Sequence, residues 1–285
     1  MSENETVQSK VIQIDIRETL RAKMPRYSRF VPGWLVRWLE RIIRQDELNA
    51  LLRAIGEKKG VDASDTVLRE LGITLDVRGL ERLPAGRVVI ASNHPLGGLD
   101  GLALISTFGH HYDGRIRFMV NDVLMAVKPL EDIFLPINKF GKQSREAVAS
   151  IMAEYRGDKQ MLTFPAGLCS RLHAGGVIAD LEWQKAVVSM AAHYKRDVVP
   201  VYFGGQNSRA FYRLARWRKR LGLKFNVEQI MLPAEMLKQR DARFTIVVGD
   251  PVSWQSLDTS QPATEAARLR DLCYSLAPSD LQTTN

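Results

Sequence analysis

The stretch VVIASNHPLGGLDGLALIS, Val88 to Ser106, decides how this chain is read. Small and β-branched residues run as a strand over Val88 to Ala91 and end in Asn93-His94, and an apolar helical pattern resumes near Asp100. A histidine at the carboxyl end of a strand stands in the crevice where open α/β sheets place their ligands. Pro95, Gly97 and Gly98 let the backbone fold sharply enough to return the Asp100 carboxylate to the imidazole. A carboxylate so placed would fix the ring's tautomer while the other ring nitrogen takes a proton from a hydroxyl. The same two residues also suit a plainer arrangement, the histidine closing a strand and the aspartate capping a helix.

Outward from this motif, short β-branched runs alternate with helical patterns. Further strands are predicted at Ile116 to Val120, Gln160 to Phe164, Val198 to Phe203 and Phe244 to Val248, with helices starting near Asp122, Ser144, Leu181 and Ser208. Such alternation argues for an α/β sheet covered on its faces. Two more strands open into glycine loops with polar groups: MLTFPAGLCSR, Met161 to Arg171, and VVPVYFGGQNSRAFY, Val198 to Tyr212.

Before the motif, Trp34, Leu35, Trp38, Leu39, Ile42 and Ile43 recur at helical spacing with Arg37, Arg41 and Arg44 between them. This amphipathic helix either docks on the core or lies in a lipid interface, tryptophans down and arginines toward the headgroups. A shorter helix is expected over Asp62 to Leu71, capped by Asp62 or Ser64, and ITLDVRGLERLP reads as a strand and a turn. The tail SDLQTTN is expected to be disordered.

The 285 residues carry 40 Lys and Arg against 32 Asp and Glu, a formal charge of +8 that suits an anionic partner, a nucleic acid or an anionic membrane surface. Arg209, Arg213, Arg216, Arg218, Lys219, Arg220 and Lys224 fall in one stretch without an acidic residue, interleaved with Phe211, Tyr212, Leu214 and Trp217. A solvated face, headgroup contact, docking of an acidic carrier protein and nucleic-acid stacking would all use these charges. No helix-turn-helix, zinc-finger or RNA-binding signature accompanies them, so nucleic acid ranks last. No apolar run reaches the 18 to 20 residues or so of a membrane span, and the N-terminus lacks a signal-peptide core. Cys169 and Cys273 form no metal or disulfide framework, which fits a cytosol-facing protein. Cys169 reads as a small buried hydrophobe, and the adjacent His110 and His111 as surface residues.

Taken in order, NHPLGGLD, FLPINKFGKQSRE, FPAGLCSR and VVPVYFGG resemble the four conserved blocks of the glycerolipid acyltransferase superfamily, typified by the lysophosphatidic acid acyltransferases. The resemblance covers roughly Arg87 to Trp254. It implies an α/β fold, a mixed sheet flanked by helices, with an N-terminal helical appendage over residues 1–80, an acyltransferase domain over 81–258 and a C-terminal helix and tail over 259–285. It also implies that His94 is the base, that Asp100 orients it, and that amides around Gly167 and Leu168 stabilise the oxyanion. Lys139, Arg145, Ser170 and Arg171 are the implied acceptor-binding residues. No metal or cofactor is implied; the co-substrate would be an acyl-carrier-protein or coenzyme A thioester, and the acceptor a lyso-lipid at the cytoplasmic face of the inner membrane.

The departures bear on the acceptor. Five residues separate His94 from Asp100 where the family has four. Ala166 replaces the third block's glutamate, Cys169 its arginine, and Arg171 lies two positions on; Lys139 stands where the second block usually carries arginine. The form NHPLGGLDG with FPAGL-SR resembles the bacterial branch that acylates lyso-aminolipids such as lyso-ornithine or lyso-glycine lipids. The alternatives are an ordinary lysophosphatidic acid enzyme and a lipid-binding or nucleic-acid-binding protein without turnover.

Overall fold

A computed structural model describes residues 13–23, 25, 26, 28–137, 144–223 and 226–279. Four helices come first, α1 (Ile16–Lys23), α2 (Gly33–Ile43), α3 (Gln45–Ile55) and α4 (Gly60–Glu70), followed by β1 (Thr74–Arg78), β2 (Val88–Ser92), α5 (Leu99–His111), β3 (Ile116–Asn121) and β4 (Phe134–Ile137). Then come α6 (Arg145–Arg156), β5 (Gln160–Thr163), the two-residue strands β6 (Arg171–Leu172) and β7 (Ile178–Ala179), and α7 (Ala186–His193). The chain continues through β8 (Asp197–Phe203), α8 (Arg209–Arg220), α9 (Leu232–Lys238), β9 (Arg243–Val248) and α10 (Pro262–Ser275).

The main sheet has the order β1-β9-β8-β2-β5-β3-β4. The five strands from β8 to β4 run parallel; β9 is antiparallel to β8, and β1 is parallel to β9, so the sheet is mixed. The central strand β2 is buried at every residue, and its side chains alternate between faces as a pleated strand requires. Val88 and Ile90 enter one core with α4 and α5, while Val89 and Ala91 enter the other with α7 and α10. The parallel strands all end on one edge, which gathers the loops after β2, β5 and β8.

The stretch before residue 81 is woven into the same core. Leu48, Leu51, Ile55, Val67, Leu68 and Leu71 join the first cluster, and β1 forms the sheet's edge, so the boundary expected after residue 80 runs through one packed body. In α2, Val36 and Ile43 are buried, whereas Trp34 and Trp38 are 63% and 51% exposed. The core takes the helix's aliphatic edge and leaves the tryptophans outside.

Three sequence expectations are corrected. The helix expected near Asp122 is a pair of tight turns, Asp122–Ala126 and Lys128–Leu130, the second opened by Pro129, which has no amide hydrogen to continue a helix. The helix expected near Leu181 begins at Ala186, because Trp183 and Gln184 are tied to Asp180 and Pro165 in non-helical backbone. Neither Asp62 nor Ser64 caps α4, which starts at Gly60; both lie inside it, and Ser64 Oγ donates to the Gly60 carbonyl. By contrast Ser144 and Ser208 cap α6 and α8 through their side-chain oxygens. The expected tail lies largely outside the described residues, which stop at 279.

Candidate active site

The site is built at the end of β2. Asn93 completes the strand with its side chain: its Nδ2 donates to the Phe203 carbonyl at 2.9 Å and its Oδ1 accepts from the Phe203 amide at 2.7 Å. This amide clip pins the last residue before the histidine to β8, so His94 leaves the sheet at a fixed point.

Asp100, at the first turn of α5 and wholly buried, meets His94 Nδ1 with Oδ2 at 2.9 Å. The same oxygen accepts the amides of Leu96 at 2.8 Å and Gly97 at 3.2 Å, and Oδ1 accepts the Gly101 amide at 2.9 Å. Burial opposes ionisation of this carboxyl, but the attraction of His94, their hydrogen bond and the two loop amides outweigh it and hold Asp100 below the ordinary carboxylate value. An ionised Asp100 only accepts, so Nδ1 is the nitrogen that carries a proton toward it, and in the neutral imidazole the lone pair is on Nε2. Among the described residues Nε2 has no hydrogen-bond partner, and the His94 side chain is 14% exposed.

Between the pair the chain turns at Gly97, whose φ of +85° lies in the left-handed region. A Cβ at that position would stand 2.7 Å from a terminal methyl of Leu232 at the start of α9, a side chain that would have to yield, so it is the torsion that favours glycine here. The imidazole is stacked on Phe164, ring centroids 3.8 Å apart and planes at 17°. Phe164 follows β5, so the strand-end phenylalanine of the third block sets the plane of the ring.

Several implied site residues have other tasks. The Gly167 amide donates to the Phe164 carbonyl at 2.8 Å to close a turn, so it is not open to an oxyanion. The Leu168 and Cys169 amides have no partner among the described residues. Ser170 is held inside the protein: it is buried, its Oγ donates to Asp180 at 2.7 Å, and its amide donates to the His94 carbonyl at 2.7 Å. Arg171 is engaged internally, donating to Glu228 at 2.9 Å and to Cys169 Sγ at 3.2 Å. Burial pushes the Cys169 thiol up to about 11 despite the neighbouring Arg171, as befits a packed hydrophobe and not a nucleophile. Arg145 is exposed at the first residue of α6, remote in sequence from the histidine and without an ion-pair partner among the described residues. Lys139 lies outside the described residues. His110, also exposed, is bonded to Asp65 of α4 at 2.7 Å, and no His, Cys, Asp or Glu cluster among the described residues has the makings of a metal site.

Asp180 went unnoticed in the sequence. It is buried, and its Oδ1 accepts the His94 amide at 3.1 Å along with Ser170 Oγ, while Oδ2 accepts Trp183 Nε1 at 3.0 Å. One carboxylate thus ties the histidine loop to the FPAGLCSR loop. Asn207, also buried, donates from Nδ2 to the Pro95 carbonyl at 3.1 Å and holds the same loop from the β8 side. The only signals for them were a polar residue in an apolar run and one after a glycine pair.

The chain is 44% identical over 265 residues to a lyso-glycine lipid O-acyltransferase of Bacteroides thetaiotaomicron, covering 92% of this chain and 97% of that one. It is 42% identical over 268 residues to the protein of the same name in Phocaeicola vulgatus, covering 93% and 96%. Among solved structures, a 1-acyl-sn-glycerophosphate acyltransferase from Thermotoga maritima aligns with a TM-score of 0.46 at 14% identity, covering 94% of this chain and 99% of that one. The acyltransferase family model matches residues 18–278, nearly the whole chain, and the protein belongs to that family and is an acyltransferase.

Proposed function

We propose that this acyltransferase moves a fatty acyl group from a thioester to the hydroxyl of a lyso-glycine or related lyso-aminolipid, with His94 as general base. The observation that carries the mechanism is the 2.9 Å bond from His94 Nδ1 to a buried, ionised Asp100, which leaves Nε2 as the acceptor at the strand end. Nε2 takes the proton of the acceptor hydroxyl as its oxygen attacks the thioester carbonyl carbon. The Leu168 and Cys169 amides are the donors suited to the resulting oxyanion. The carbon–sulfur bond then breaks, and the imidazolium returns its proton to the departing thiolate. Acyl-carrier protein and coenzyme A both supply such a thioester. The acceptor class rests on relatives at 42 and 44% identity. The test compares a lyso-glycine lipid and lysophosphatidic acid as acceptors with one acyl donor: higher kcat/KM on the first supports the reading, and preference for the second replaces it with phospholipid synthesis.

The reaction is proposed to occur at the cytoplasmic face of the inner membrane, with the protein bound peripherally. No helix among the described residues is long and apolar enough to cross a membrane. Phe30, Trp34 and Trp38 are exposed beside the exposed Arg37 and Arg41, the combination that seats a helix in a headgroup layer. Sedimentation with anionic vesicles should weaken in a Trp34→Ala, Trp38→Ala double variant and at high salt. Equal binding by that variant at both salt levels would overturn the placement.

A further inference from the structure

Helix α8, in the β8–β9 connection of residues 204–242, has two faces of opposite use. Phe211, Tyr212 and Ala215 are buried, and on the other side Arg213, Trp217 and Leu221 follow at four-residue spacing, one above the other, all exposed. Trp217 is 61% and Leu221 66% exposed. Arg209, Arg216 and Arg220 stand along the same outward face, and with Arg213 they have no ion-pair partner among the described residues.

This face is held rigidly. The Leu223 amide donates to the Arg218 carbonyl at 3.1 Å and Arg218 Nη1 donates to the Leu223 carbonyl at 2.9 Å, so the end of α8 is closed from both directions. Arg218 Nε also lies 2.9 Å from the fully buried Glu228 in the turn Val227–Met231. Arg218 therefore serves the fold, a task its outward neighbours do not share.

The turn Val227–Met231 packs against α2 as well as α8. Around that one turn two helices are built alike. α2 buries Val36 and Ile43 and turns out Trp34 and Trp38 beside Arg37 and Arg41; α8 buries Phe211 and Ala215 and turns out Trp217 and Leu221 beside Arg213 and Arg220. Ile230, in the turn itself, is exposed too, as is Leu223. An indole among guanidiniums suits the boundary of a bilayer, the ring taking the apolar side and the cations meeting anionic phosphates. An acidic protein would match the charges alone; the exposed apolar residues in the middle of the face, repeated on the neighbouring helix, favour lipid.

We infer that α8 is a second lipid-contacting element, whose Trp217 and Leu221 enter the headgroup layer of an anionic bilayer while Arg213, Arg216 and Arg220 pair with its phosphates. This rests on the peripheral placement proposed above and adds a second point of attachment. The connection that carries it also holds the histidine loop, through the bond from Asn207 to the Pro95 carbonyl.

The experiment measures partitioning of the full chain and its variants onto vesicles of phosphatidylcholine with and without phosphatidylglycerol. The substituted side chains are exposed, so circular dichroism and Tm should match the parent. Trp217→Ala, Leu221→Ala should weaken binding to the anionic vesicles by about tenfold or more, and Arg213→Gln, Arg216→Gln, Arg220→Gln should lower the preference for them over pure phosphatidylcholine by about the same factor. In a Trp34→Phe, Trp38→Phe background, brominated phosphatidylcholine in the anionic vesicles should quench a component of the fluorescence that Trp217→Phe removes. A loss of less than about threefold in Trp217→Ala, Leu221→Ala, or quenching that Trp217→Phe leaves unchanged, overturns the inference. Parental vesicle binding joined to a raised KM for an acyl-carrier-protein thioester overturns it as well, and assigns the face to that acidic protein. Weakened binding in Trp34→Ala, Trp38→Ala with none in the α8 variant removes α8 alone and leaves the peripheral placement standing, whereas parent protein that binds neither vesicle removes both.

Discussion

Asp180 offers a sharp test of how the site is held, because a single isosteric change sets its three donors in conflict. Its carboxylate accepts on both oxygens, the His94 amide and Ser170 Oγ on one and Trp183 Nε1 on the other. In Asp180→Asn one oxygen becomes an amino group. In either orientation of the amide at least one buried donor then faces another donor. An unmet buried donor costs about 1 to 3 kcal/mol. For a chain of this size each kcal/mol moves Tm by roughly 2 to 4 °C, so Asp180→Asn should melt about 2 to 12 °C below the parent. Asp180→Ala strands all three donors and should fall at least twice as far. Activity should drop further than stability alone dictates, because the displaced group is the backbone amide of His94; a misplacement of about 1 Å can cost some hundredfold in rate. Thermal melts and kcat/KM at a temperature where each variant is folded read the two effects apart. Asp180→Asn with parental Tm and parental kcat/KM would show that the carboxylate does not organise the two loops.

His94→Ala should retain the fold and lose activity by about a hundred- to ten-thousandfold, and near-normal turnover by the purified variant would exclude it as the base. Because the folded-state value of Asp100 is depressed, its contribution to stability is present above the ordinary value of 3.8 and lost as pH falls through the lower folded value. The Tm gap between the parent and Asp100→Asn should therefore narrow on acidification below pH 3.8, and a gap that widens there contradicts the assignment. Alkylation of Cys169 should be slow at neutral pH and accelerate only as the pH approaches about 11 or the protein unfolds, so rapid labelling of the folded protein would reinstate it as a nucleophile candidate.

What could be read from the sequence was what lies close along the chain. His94 and Asp100 are six positions apart with glycines between, so their meeting followed from turn chemistry. The ends of β2, β5, β8 and β9 were legible for the same reason: each of those apolar runs stops at a glycine or proline loop. Asp180 reaches His94 across 86 positions and Glu228 reaches Arg171 across 57, and no local pattern encodes such a contact. Gly167 and Ser170 carry the right chemistry for a substrate, but the fold engages them first, one in a turn and one in a buried bond. Trp34 and Trp38 sit in an unmistakable amphipathic pattern, yet the pattern cannot say whether protein or solvent meets the apolar stripe. The structure divides it, burying Val36 and Ile43 and leaving the tryptophans out.

The β8–β9 connection begins and ends on strands that are neighbours in the sheet, with the Gly204 amide bonded to the Thr245 carbonyl at 2.8 Å where the two ends meet. Its length therefore has no bearing on the pairing of the strands that carry it. A segment anchored this way can change length without shifting the strands, yet it cannot be exchanged freely, because Asn207 bonds the Pro95 carbonyl and Leu232 packs beside Gly97 in the loop between His94 and Asp100. Strand pairing and loop support are thus carried by different parts of one connection: its ends fix the sheet, and Asn207 and Leu232 brace the loop after β2.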